Sequence, residues 1–132
     1  MKKIGLVAAI LASFFGAQPV AADEVGENEY MVACSGCHGE SGKGDGPLAA
    51  LLKIETPDLT GLAARHDGEF PFEYTVFMVD RRNVIPMHGN EMPLWGDRYI
   101  AAASSERGET AEMVARGRIL SLVYYLQSIQ EE

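Results

Sequence analysis

Cys34-Ser35-Gly36-Cys37-His38 is a stretch in which reactive side chains stand at a spacing with a definite chemical use. C-x-x-C-H is the attachment pattern for c-type haem. Two cysteines three apart share one helical turn, so both thiols reach the vinyl edge of a porphyrin and form thioethers. The adjacent histidine then lies beneath the iron and supplies an imidazole nitrogen. Rival uses of these cysteines fit less well. A thioredoxin-like pair needs a βαβ setting and a following helix that lowers a thiol pKa. Here Gly39, Gly42, Gly44 and Gly46 follow, and they break helices. A zinc knuckle needs four ligands, and the chain has only 2 cysteines.

A second axial ligand must come from elsewhere. The available side chains are Met31, Met78, Met87, Met92, Met113, His66 and His88. Met31 lies too close to the attachment site, and Met78 sits in an apolar helical stretch that suits core packing. Met113 stands near the start of another helical pattern. Met87, His88 and Met92 share the stretch Pro86 to Gly96. Pro93 biases Met92 to an extended backbone, and Gly89 and Gly96 permit bends on either side. Met92 is the preferred ligand and His88 the alternative.

The rest of the chain must position these groups. Glu27 to Ala33 reads as a helix running into the motif. Glu40 to Gly46 is a glycine-rich loop; it lacks the G-K-[ST] ending and preceding strand of a phosphate loop. Pro47 to Lys53 reads as a short helix and Glu55 to Pro71 as loop. Phe72 to Arg81 is a helix, Asn83 to Tyr99 a ligand-bearing loop, and Thr110 to Gln130 a long final helix with a broad apolar face. No alternating stretch predicts strands. The fold class is all-α. Two long irregular stretches in so short a chain suit a task such as wrapping a flat apolar ligand.

The chain has 132 residues, a formal charge of -8 and 47% apolar residues. That length bounds it to one small domain. It is too short for a two-domain dinucleotide enzyme, and its charge is wrong for a nucleic-acid binder. Lys2 and Lys3, an uncharged run from Ile4 to Ala17, and Val20-Ala21-Ala22 form a secretory signal. The predicted organisation is a signal peptide over 1–22 and one domain over 23–132. Its removal takes two of the 11 basic residues and none of the 19 acidic ones, leaving a formal charge of -10. The expected location is the periplasm.

With these residues in place, the chain resembles the class I c-type cytochromes, in particular small bacterial periplasmic members with one haem. The resemblance rests on CSGCH, on Gly26-x3-Tyr30-x3-Cys34, on Met92-Pro93-x-Trp95-Gly96, and on the final helix with Leu122 and Tyr125. It implies three to five helices with long loops around one haem c bound through Cys34 and Cys37. It also implies that the final helix crosses the first at Gly26. Iron would be held by His38 and Met92. The carbonyl of Pro47 would accept the other imidazole N–H, and Trp95 would approach a haem propionate. Arg81 and Arg82 either serve the propionates or form a solvated pair at a helix end.

With both axial positions filled, the iron suits outer-sphere electron transfer and not substrate binding. The resulting expectation is a monomeric electron carrier, not an enzyme. It would meet redox proteins through their basic docking faces, with transient contact to membrane respiratory complexes. The competing reading is a haem subunit of, or small enzyme in, a peroxidase or sulfur- or alcohol-oxidising system, which needs an open or displaceable sixth position.

Overall fold

A computed structural model describes residues 22–82, 92–107 and 110–131. Five α-helices and no strand occur among them: α1 (Ala22–Ala33), α2 (Ser35–His38), α3 (Phe72–Asp80), α4 (Trp95–Arg107) and α5 (Ala111–Ser128). Short 3-10 turns at Ala49–Leu51 and Ala64–His66 interrupt the long connection between α2 and α3. The segment 1–21, including nearly all of the expected signal peptide, lies outside the described residues, as do Met87 and His88.

The final helix organises the core. Ala111, Ala115, Ile119, Leu122, Val123 and Leu126 are its buried residues. Their spacing of three and four places them on one helical face. Tyr30, Cys34, Val79 and Tyr99 bring α1, the attachment motif, α3 and α4 against that face. Tyr30 is fully buried, and its hydroxyl donates to Gly39 O at 2.6 Å, so the core residue also ties down the end of the motif. Glu29 and Arg118 form a second tie between α1 and α5, with two bonds of 2.7 and 2.8 Å. The Arg118 guanidinium lies 4.2 Å above the Tyr99 ring, which links α4 to the same pair.

The crossing of α1 and α5 explains Gly26. A Cβ there would run into Ser121 O and stand 2.8 Å from Tyr125 Cβ. The Tyr30 and Tyr125 rings pack beside it at 5.3 Å. Gly117, on the exposed side of α5, is the converse: a Cβ would meet nothing within 4 Å. The same substitution should therefore have opposite signs at the two sites. Gly117→Ala gains helix propensity and should stabilise by about 1 kcal/mol. Gly26→Ala forces two backbones apart and should destabilise by about 2 kcal/mol despite that gain. Denaturant midpoints of the holoproteins check both; equal shifts in the same direction would contradict the crossing.

Three boundaries differ from those expected. Helix α1 begins at Ala22, not Glu27, because Gly26 serves the crossing and does not end the helix. The segment 47–53 forms only a 3-10 turn at Ala49–Leu51. The ligand loop does not run to Tyr99, because α4 starts at Trp95. Its residues Tyr99 and Ala103 are buried, and Trp95 and Ile100 pack against the core, a helical stripe. Pro93 fits just ahead of this start, where its missing N–H costs nothing.

Candidate haem-binding site

The attachment motif is a single turn of helix whose carbonyls need partners. The glycine-rich loop supplies them. Gly44 N–H donates to His38 O at 2.8 Å, Gly46 N–H to Cys37 O at 3.1 Å, and Leu48 N–H to Gly36 O at 2.8 Å. A Cβ on Gly46 would stand 2.6 Å from Cys37 O and from Gly36 O, so only glycine fits there. These loop amides are therefore committed to α2, which agrees with setting the phosphate-loop reading aside.

Beneath α2 lies a cleft in two lobes, with cavity volumes of about 100 Å³ and about 270 Å³. Together they fall in the range of small-molecule sites, roughly 300–1,000 Å³. Cys34, His38, Pro57 and Met92 line both lobes. The first lobe adds Cys37, Leu52, Ile54, Thr56, Pro93 and Trp95. The second adds Leu59, Leu62, Tyr74, Met78, Val79 and Leu126, with Arg65 and His66 as its basic members.

Both cysteines carry free thiols. Burial, the Cys37 thiol and the Glu29 carboxylate push the Cys34 thiol up to about 12. A thiol held protonated is the opposite of what a disulfide oxidoreductase needs. His38 Nδ1–H donates to Pro57 O at 3.1 Å, which places the ring's free lone pair on Nε2. Burial lowers the His38 pKa, and the bond to Pro57 opposes this only in part. The imidazole is thus kept neutral and oriented, the form in which it ligates a metal.

The structure therefore brings Cys34, Cys37, His38, Met92 and Trp95 to one cleft, and it does not bring Pro47 there. Pro47 is exposed and lines neither lobe. The reason is local: Leu48 N–H is drawn onto Gly36 O, so the chain turns outward at Pro47 and reaches the imidazole edge ten residues later. The accepting carbonyl is that of Pro57. It is set by a turn in which Asp58 Oδ1 accepts from Thr60 N–H at 2.7 Å. The sequence signal is Thr56-Pro57-Asp58, a proline followed by a turn-capping aspartate.

The arginine pair also resolves. Arg82 binds Asp80, and its Nη1 donates to Glu112 Oε2 at 2.7 Å. Arg81 is buried and sends Nη1 to Met92 O at 3.3 Å. Neither arginine is among the residues that line the two lobes, whereas Arg65 borders the second. Met78, expected to be core, and His66 both reach the second lobe. Met31 and Met113 line neither lobe, and Met113 is largely exposed.

Residues 24–110, more than half of the chain, match the family described as Cytochrome c. The chain belongs to the cytochrome c family. No curated protein and no solved structure is a significant match. The family binds covalently attached haem c, and its members are typically electron carriers.

The cytochrome's cleft fits that group. Two thiols, a neutral oriented imidazole and a thioether converge on it among apolar walls. Thr56 Oγ1 is buried at the wall with no hydrogen-bond partner among the described residues. A haem carboxylate would supply the missing acceptor. When bound, haem supplies one-electron chemistry at its iron.

Proposed function

We propose that this cytochrome is a periplasmic single-electron carrier whose haem is attached at Cys34 and Cys37, with His38 and Met92 as axial ligands. The observation that carries the ligand choice is that His38 and Met92 both border both lobes of the cleft. Met78 and His66 border the second lobe alone. A neutral imidazole oriented by Pro57 and a soft thioether suit an iron that changes charge without changing ligands.

Each chain residue then has a task. Cys34 and Cys37 hold the group against dilution, and the Pro57 carbonyl keeps the His38 ring from rotating. Met92 closes the sixth position against water and substrates. Leu52, Ile54, Leu59, Leu62 and Val79 give apolar walls that favour the less charged ferrous state. The export signal at 1–22 supports a periplasmic site of action.

Carbon monoxide tests the filled sixth position. The reduced protein at neutral pH should not bind it on mixing; rapid stoichiometric binding would favour the reading as a peroxidase or as a sulfur- or alcohol-oxidising component. The acidic balance, -10 after signal removal, supports partners with basic docking faces. Electron-transfer rates with such a partner should fall as ionic strength rises through the range where the Debye length shrinks from about 30 to about 8 Å. A rate independent of salt would count against an acidic docking face.

A further inference from the structure

We propose that Arg81 is a positioning residue for the sixth ligand, holding the Met92 backbone at the cleft by a hydrogen bond from its buried guanidinium. This rests on Met92 being the ligand. Arg81 is only 5% exposed and lines neither lobe of the cleft. Its Nη1 donates to Met92 O at 3.3 Å across a separation of eleven residues.

Its backbone is equally unusual. Arg81 has φ 52°, one of two non-glycine residues among those described with positive φ. This left-handed turn ends α3, and Arg81 N–H donates to Phe77 O at 2.9 Å. Such a conformation costs a bulky residue energy and persists where the surroundings demand it. Glycine would meet the backbone need without cost. An arginine there implies that the side chain has its own task.

The surroundings show what that task is. The start of α4 is pressed against the end of α3: a Cβ on Gly96 would stand 2.6 Å from Arg82 Nε and 2.7 Å from Asp80 O. Arg82 in turn is held by Asp80 and Glu112. The ends of α3 and α4 are therefore fastened beside Met92, and the Arg81 guanidinium connects that fastened corner to the ligand's own carbonyl. A thioether is a neutral ligand, and its hold on iron is sensitive to how well the protein places it. A bond to the ligand's backbone lowers the freedom it must lose on coordination.

The test uses ferric holoprotein: wild type, Arg81→Gly and Arg81→Lys. Three quantities are read: the near-infrared sulfur-to-iron band, the rate at which cyanide displaces the sixth ligand, and global unfolding by far-UV circular dichroism. Arg81→Gly relieves the backbone but removes the donor. It should bind cyanide at least tenfold faster and lose the sulfur band well below its unfolding temperature. Arg81→Lys keeps a donor and should fall between the two. A purely structural role at the helix end predicts that glycine is neutral or better. A wild-type sulfur band with cyanide rates in Arg81→Gly within twofold of wild type would overturn the clamp alone. Absence of the band in wild type would overturn the Met92 assignment and the clamp with it. Should Arg81→Gly not yield holoprotein, Arg81→Met decides, because it keeps a long side chain but has no donor: a cyanide rate within twofold of wild type, with the band unchanged, overturns the clamp.

Discussion

The Cys34→Ala/Cys37→Ala double variant is expected to lack a cooperative thermal transition and to show little of the holoprotein's helical circular dichroism. The argument is one of burial. Residues 39–71 contain only two 3-10 turns. Their apolar side chains Leu52, Ile54, Leu59 and Leu62 line the cleft. Without haem, these walls and those from α3 and α5 would be left to water. At roughly 25 cal/mol per Å² of apolar surface, a few hundred Å² amount to several kcal/mol. That is comparable to the whole stability of a small domain, about 5–15 kcal/mol. Cys34 also belongs to the buried cluster, so the substitution itself removes some packing. Wild-type chain produced without haem provides the control and should behave like the double variant. A transition in either one matching that of the holoprotein would contradict the view that haem forms part of the core.

Met92→Ala should keep its haem and lose the near-infrared sulfur-to-iron band. Its reduction potential should fall by about 0.2 V, a fraction of the roughly 0.8 V over which axial ligands set haem potentials. Thioether ligation favours the ferrous state, so a replacement by water or a harder donor moves the potential down. The variant should also gain rapid carbon monoxide binding when reduced. Met87→Ala should leave both band and potential as in wild type. Met78→Ala serves as a sharper control, since Met78 borders the second lobe without reaching the first. Loss of the band in Met78→Ala, with retention in Met92→Ala, would move the ligand to α3.

Much of this site is legible in the amino-acid sequence itself. CSGCH is local, and its chemistry depends on spacing along one turn. The crossing of the first and last helices is legible through the resemblance to class I c-type cytochromes, which matches Gly26, Leu122 and Tyr125 to the family's crossing positions. What is not legible depends on contacts distant in sequence. The resemblance points to Pro47 as the acceptor for the imidazole, and only the path of the glycine-rich loop over α2 brings Pro57 there in its place. Helix α4 is hidden because Pro93 and Gly96 read as loop punctuation. Gly96 in fact permits the close approach to Asp80 and Arg82. Similarly, Gly26 reads as a boundary but lies within α1. Neither alternative for Arg81 and Arg82 is complete. One arginine bridges Asp80 and Glu112, and the other holds Met92 O.

The most direct test is the intact mass of the purified protein, taken together with its absorption spectrum before and after extraction with acidified organic solvent. The account predicts a single species heavier than its polypeptide by one haem, with colour that stays with the protein through extraction. A mass equal to the bare polypeptide, or pigment that leaves in the solvent, would contradict thioether attachment at Cys34 and Cys37.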